Sequence, residues 1–105
     1  MEKARLIRET LAALRQRFGG RFAVVDHWDA DLTAVGVGAA DDPGRLVHFS
    51  IFKRRRGRYY VSLELPPQVG EDFPYVQGAV FEDIDFEQLA AIVAEHLGIQ
   101  ASAGI

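Results

Sequence analysis

Two strand-like segments joined by a short basic loop constrain the fold of this chain more than any other feature. Arg45–Lys53 and Arg58–Leu65 are rich in β-branched and aromatic residues, and the loop between them ends in Gly57. A glycine at this place can take the positive φ that hairpin loops built on a type I turn require. The sequence therefore predicts an antiparallel hairpin over residues 45–65.

The register of this hairpin decides which side chains share a face. If Lys53 faces Arg58, Val47 pairs with Glu64 and His48 with Leu63, so neither face is cleanly polar. A sheet with one solvated face normally alternates apolar and polar residues. Two interpretations stay open: the second face is partly covered by a partner or by the chain itself, or the true register differs by one residue.

Helical patterns lie at both ends of the chain. Residues 2–18 carry one apolar stripe followed by the helix-stopping Gly19 and Gly20. Near the C-terminus, Asp85 and Gln88 form a capping-box pattern, and Ile84 and Leu89 are spaced as a hydrophobic staple. The stripes of the two predicted helices are Ile7, Leu11, Leu14 and Phe18, and Phe86, Leu89, Ile92, Val93 and Leu97.

Shorter strand patterns fill the remainder, at Phe22–Trp28, Leu32–Ala39 and Val76–Phe81. The order α-β-β-β-β-(β)-α predicts a two-layer α+β fold, in which N-terminal and C-terminal helices pack on one face of an antiparallel four- to five-stranded meander. Residues 1–105 are predicted to form a single domain, with residues 98–105 as a frayed tail.

Charge is divided unevenly along the chain. Residues 1–58 hold all twelve Lys and Arg residues and seven acids, whereas residues 59–105 hold eight acids and no Lys or Arg. Polarity of this kind steers association with charged partners. The densest cluster of positive charge is the basic hairpin tip, which comprises Lys53, Arg54, Arg55, Arg56 and Arg58.

Three interpretations of the basic hairpin tip stay open. Charged residues at an exposed turn keep strands soluble and need no further function. The same cations could contact an acidic protein surface. They could also bind the phosphates of a nucleic acid while Phe52, Tyr59 and Tyr60 stack on its bases.

A long loop, Pro66–Tyr75, is the second candidate site. It presents Glu71 and Asp72 beside Phe73 and Tyr75, and an aromatic anchor with a charged rim is typical of protein-binding hot spots. The alternative is that the two aromatic rings fold back and cap the core. The first interpretation predicts that the acidic second half, including this loop, docks on a basic protein partner.

Motifs for catalysis, metals and cofactors are weak. Counted from Asp29, an EF-hand would need glycine and glutamate where Ala34 and Ala40 stand. The Gly36–Ala40 segment is followed by a turn rather than a helix, unlike a dinucleotide-binding loop. None of the serines lies in a nucleophile-elbow context, and His27, His48 and His96 are isolated. We expect no catalytic residue, no metal and no cofactor.

The composition indicates a soluble protein of the cytoplasm. The chain has no cysteine, which fits a reducing compartment. Charges interrupt the apolar residues of MEKARLIRET, so a secretory signal is not expected there. No apolar run approaches the roughly 20 residues that span a bilayer, and membrane association is therefore not expected.

The organisation of the chain resembles small bacterial immunity proteins of polymorphic toxin systems, and also the α-β-β-β-β-α chaperone-like domains associated with type III secretion. The segments that carry the comparison are YYVSLELPP, FPYVQGAVF and DFEQLAAIVAEHLG. An immunity-type protein would bind a cognate toxin stoichiometrically. The leading hypothesis is thus a non-enzymatic protein-binding module. The alternatives are a nucleic-acid-binding accessory domain acting through residues 53–58, and a homodimer formed through the less polar sheet face.

Overall fold

The computed structural model describes residues 4–25, 32–40, 42–65 and 76–99. Within these ranges the chain forms two helices and one sheet, in the order α1 (Arg5–Phe18), β1 (Phe22–Val25), β2 (Ala34–Ala39), β3 (Asp42–Ser50), β4 (Tyr59–Leu65), β5 (Val76–Ile84) and α2 (Phe86–Leu97). The sheet is antiparallel throughout, and its spatial order β1-β2-β3-β4-β5 follows the sequence. The predicted α+β meander is confirmed, with five strands.

Both helices cover the same face of the sheet. One apolar cluster joins Ile7, Leu11, Leu14 and Phe18 of α1 to Leu89, Val93 and Leu97 of α2 through the sheet side chains Val37, Val47, Phe49 and Val61. Every residue of the stripe predicted for α1 is buried. In α2, Leu89, Val93 and Leu97 are buried, while Phe86 and Ile92 pack against the cluster as partly buried side chains.

Local signals at both ends of α2 act as the sequence predicts. The Asp85 side chain accepts a hydrogen bond from the Gln88 backbone N–H at 2.8 Å, and the Gln88 side chain accepts one from the Asp85 N–H at 3.0 Å. Gly98 ends α2 in the left-handed conformation at φ 68° and ψ 36°. Ile99 then packs against the core, and its N–H donates to the Ala94 carbonyl.

The predicted register of the central hairpin is wrong by one residue. Val47 lies opposite Leu63 and Phe49 opposite Val61, whereas the sequence-based pairing placed Val47 opposite Glu64. The observed register gathers these four apolar side chains on the helix-covered face. His48 pairs with Ser62 on the opposite face. Burial of one face selects this register, because side chains alternate with a period of two.

The hairpin loop is longer than predicted, and this accounts for the shifted register. The ladder ends at the Ser50–Tyr60 pair, so Ile51–Arg58 form the connection instead of Arg54–Gly57 alone. Two successive turns build it, closed by the Arg54 N–H to the Ile51 carbonyl and by the Arg58 N–H to the Arg55 carbonyl. Lys53 and Gly57 both take positive φ, at 57° and 80°. The positive φ predicted for Gly57 is confirmed.

Candidate functional site

The basic hairpin tip lies beside the C-terminal end of β5. Strand pairing of Tyr59 with Ile84 brings Glu82 and Asp83 next to the turns that carry the arginines. Arg54 Nη2 donates to Glu82 Oε1 at 3.3 Å, and Arg58 Nε lies 3.4 Å from Asp83 Oδ1. Arg55 Nη2 is farther from Asp83, at 3.9 Å. Two carboxylates of the acidic half therefore neutralise part of the tip.

The charge polarity of the sequence is consequently not a polarity of the folded surface. A further ion pair joins the halves at the helices, where Arg17 Nη1 and Nη2 donate to the two carboxylate oxygens of Glu87 at 2.8 and 2.9 Å. These bonds lower the pKa of Glu87 and raise that of Arg17. Folding thus places acids of residues 59–105 against cations of residues 1–58.

Part of the tip keeps its charge and its apolar surface available. Within the described part of the chain, neither Lys53 nor Arg56 has a carboxylate at ion-pair distance, and both are exposed. The Lys53 ammonium lies 5.4 Å from the centroid of the Phe52 ring, and Phe52 is 61% exposed. An exposed aromatic ring with unpaired cations beside it is the most accessible binding feature of the tip.

A cleft of about 390 Å³ opens between α1 and the inner side of the tip; we call it the α1–tip cleft. Its apolar wall consists of Leu6, Ala13, Ile51 and Phe86. Its rim carries Arg54, Arg55 and Arg56, with Glu9 on the α1 side. This volume falls within the roughly 300–1,000 Å³ of small-molecule sites, which are typically apolar with a few convergent polar groups.

Two buried hydroxyl groups, from Thr10 and Tyr59, line this cleft. Their oxygens are 2.7 Å apart, and Thr10 Oγ1 also donates to the Leu6 carbonyl at 2.8 Å. Thr10 has a single hydroxyl proton, so the Tyr59 hydroxyl must donate to Thr10. Both protons are then used, and this hydroxyl pair can only accept further hydrogen bonds.

Arg54 is held in an unusual way at the rim. Its guanidinium stacks on the Tyr60 ring, with Cζ 5.7 Å from the ring centroid. Its Nε atom is buried, and no described residue accepts a hydrogen bond from it. Buried polar atoms are nearly always hydrogen-bonded, so an orphan donor marks either strain or a missing partner. Arg54 thus has unused hydrogen-bonding capacity beside the cleft.

The other predicted sites have different outcomes. Glu71, Asp72, Phe73 and Tyr75 lie outside the described residues, as does the Asp26–Asp31 cluster, so docking through the acidic loop stays a prediction. The Gly36–Ala39 part of the glycine-rich segment lies in β2, as predicted. His96 Nε2 is 2.9 Å from the Glu64 carbonyl oxygen. Among the residues described, no group of three or more His, Asp or Glu side chains could hold a metal ion.

Sequence reasoning missed the α1–tip cleft altogether. Its residues come from α1, the hairpin turns, β4 and α2, which are distant in sequence. One signal was available: Thr10 lies three residues after Ile7, on the buried face of α1, where a polar side chain needs a partner. The identity of that partner, Tyr59, depends on the fold.

Comparisons with known proteins identified no relative of this chain. The chain matches no protein-family model, and searches of curated proteins and of solved structures found none similar to it. In the part of the chain that the structure describes, neither helix has the length and apolar character needed to cross a bilayer. The geometry of the site itself is therefore the basis for assigning a function.

Proposed function

We propose that this chain is a non-enzymatic protein-binding module of the cytoplasm whose contact surface is the outer side of the basic hairpin tip. The observation that carries the proposal is Phe52, an aromatic side chain that is 61% exposed beside Lys53, which has no ion-pair partner among the described residues. Aromatic residues and arginine are enriched at protein interfaces, and the two turns of the tip carry both. The absence of cysteine supports the cytoplasmic location.

The charge of this surface favours an acidic protein partner. Lys53 and Arg56 carry no intramolecular ion pair with a described residue, and Arg55 is held only at 3.9 Å and is 79% exposed. Complementary potentials would increase the rate of association and exclude basic partners. A stoichiometric protein partner is also what the resemblance to immunity proteins implies.

Docking of a basic partner through the acidic half is supported less well by the described residues. Glu82 and Asp83 are engaged with arginines of the tip, Glu87 with Arg17, and Asp85 with the N-terminus of α2. Glu71, Asp72, Phe73 and Tyr75 remain the proposed contacts for that mode. Charge reversal at Glu71 and Asp72 should then weaken a complex that tip variants leave intact.

Nucleic-acid binding through the tip is the alternative from another class. It would use the same cations, with Phe52 and Tyr60 as stacking groups. Two of the five cations are neutralised at 3.3 and 3.4 Å by Glu82 and Asp83, and the whole chain carries a net charge of −3. Few phosphate contacts remain for binding that depends mainly on charge.

The proposal is tested with matched pairs of surface variants. Tagged wild-type protein is used to isolate partners at physiological ionic strength, and each partner is then titrated against F52S and V80S, and against K53S and R8S. Val80 and Arg8 are also exposed, but Val80 lies in β5 opposite Ser62, and Arg8 lies in α1 outside the lining of the cleft beside the tip. We expect F52S to weaken binding at least tenfold and K53S by a smaller factor, with both controls unchanged.

Two outcomes would contradict the proposal. A protein partner that binds F52S and K53S as tightly as wild type would move the interface elsewhere, with the acidic loop as the first alternative. Recovery of nucleic acid alone, released by high salt and lost in K53S, would assign the tip to nucleic-acid binding.

A further inference from the structure

We propose that the α1–tip cleft binds a small organic monoanion, a carboxylate attached to an apolar body. The cleft lies on the inner side of the tip, against α1, whereas the protein-binding surface proposed above uses Phe52 and Lys53 on the outer side. Arg55 and Arg56 contribute charge to both sites, but the outer surface depends on Phe52 and the cleft on Ala13, so the two proposals can fail separately.

The wall of the cleft selects an apolar body. Leu6 and Ala13 of α1 face Ile51 of the hairpin and Phe86 of α2 across the opening. Ile51 and Phe86 also pack against the main core as partly buried side chains, so this wall is an exposed edge of the core. An aromatic or branched aliphatic group placed there would remove this apolar surface from water.

The rim of the cleft selects a negatively charged head group. Arg54, Arg55 and Arg56 all line the opening, and Arg56 has no ion-pair partner among the described residues. Guanidinium groups bind carboxylates through paired, charge-assisted hydrogen bonds. Glu82 and Asp83 already neutralise part of this charge, which favours a monoanion over a dianion.

The remaining polar groups orient the ligand. Glu9 on the α1 side would repel a carboxylate. The Thr10–Tyr59 hydroxyl pair has spent both protons and offers only oxygen lone pairs, so it too disfavours an anion. A carboxylate therefore belongs at the arginine rim, with the apolar body inserted toward Tyr59. Arg54 Nε has no acceptor among the described residues, which leaves a donor unused at this rim.

The test uses two probes of the same shape, one anionic and one neutral. The ¹⁵N-labelled full chain is titrated with 1-naphthaleneacetate and with its neutral isostere 1-naphthaleneacetamide, and amide shifts are followed by NMR. We expect saturable shifts for the acid at Thr10, Ala13 and Gly57, which lie along the cleft. The amide should bind about tenfold more weakly, because it lacks the charge-assisted bonds to the rim.

A matched pair of helix variants locates the binding site. Ala13 lines the cleft, whereas Ala12 is exposed on α1 and does not. A13L should fill the cleft and weaken the acid by tenfold or more, and A12L should leave its affinity unchanged. R56S should reduce the affinity of the acid while leaving that of the amide unaltered, a readout that a general loss of structure would not give.

Three results would overturn the proposal. Equal affinity for the acid and the amide would mean that the rim does not recognise the charge. If A13L is folded, as judged from its NMR spectrum, and binds the acid as tightly as wild type, the acid must bind outside the cleft. Absence of shifts at the cleft amides up to the solubility limit of the acid would show that the cleft does not take this class of ligand.

Discussion

Two arginine–glutamate contacts join the basic and acidic parts of this chain, and they are built differently. At the junction of the helices, Arg17 donates two bonds of 2.8 and 2.9 Å to Glu87 and stacks on Phe86. At the tip, Arg54 donates one bond of 3.3 Å to Glu82 and stacks on Tyr60, while its buried Nε has no partner among the described residues.

This difference separates a structural contact from a functional candidate. Parallel bonds from a guanidinium to both carboxylate oxygens make the geometry of Arg17 and Glu87 specific, and the contact ties α1 to α2. The Arg54 contact leaves a buried donor unsatisfied beside a cleft, which natural proteins keep only rarely. Variants of Arg17 and of Arg54 can therefore test whether the helix junction is optimised for stability and the hairpin tip for binding.

The largest effect is expected beneath the tip, at the hydroxyl pair. T10V removes the acceptor of the Tyr59 hydroxyl and leaves it buried, which should lower the free energy of unfolding by about 1–3 kcal/mol. The double variant T10V/Y59F removes both partners and should recover most of this loss. Urea unfolding of the two single variants and the double variant gives the coupling energy. An additive result would mean that the hydroxyl bond contributes nothing.

The second-largest loss of stability is expected at the N-cap of α2, next to the helix junction. D85A removes the side chain that accepts the Gln88 N–H at 2.8 Å, and loss of an N-cap typically costs about 1 kcal/mol. D85S retains a capping oxygen and should recover most of the stability. Both are measured by urea unfolding and by circular dichroism at 222 nm. Equal losses in D85A and D85S would show that the capping box is not what stabilises this end.

A direct comparison of the two arginines should give a smaller effect. R17M removes two short bonds, whereas R54M removes one long bond and also the orphan donor, so R17M should destabilise the protein more. Because both glutamates are exposed, the difference should shrink as salt is added. A larger loss of stability in R54M than in R17M would mean that the tip contact, rather than the helix junction, is the structural one.

The smallest effect is expected in the dependence of stability on pH. The Arg17 hydrogen bond lowers the pKa of Glu87 in the folded state, so its contribution to stability is present above the ordinary pKa and is lost as the pH falls through the lowered value. E87Q should flatten the decline in Tm that the wild-type protein shows as the pH falls below about 4.5.

The charge of Glu64 should affect stability in the opposite direction to that of Glu87. Burial raises its pKa, although the hydrogen bond from Ser62 opposes this, so the folded state binds the proton more tightly than the unfolded state. The charged form is therefore unfavourable above the raised pKa, and E64Q should slightly increase Tm at neutral pH. A lower Tm for E64Q would mean that the Ser62 bond outweighs burial.

Patterns within a single element predicted the structure best. The stripe of α1, the capping box at Asp85 and Gln88, and the left-handed Gly98 depend on residues within a few positions of each other. The pairing of strands with each other was less predictable. The hairpin register was wrong by one residue because the extra turn at Ile51–Arg54 cannot be distinguished locally from a continued strand.

The sequence by itself determined the element order, the antiparallel meander, the ends of α2 and the basic hairpin tip, since all of these follow from local periodicity and turn chemistry. Only the tertiary structure decided the register, the α1–tip cleft and the pairing of Arg17 with Glu87 and Arg54 with Glu82. Charges separated along the chain came together because packing of both helices on one face joins Arg17 to Glu87, while pairing of β4 with β5 brings Glu82 to Arg54. Linear charge distribution carries no information about that packing.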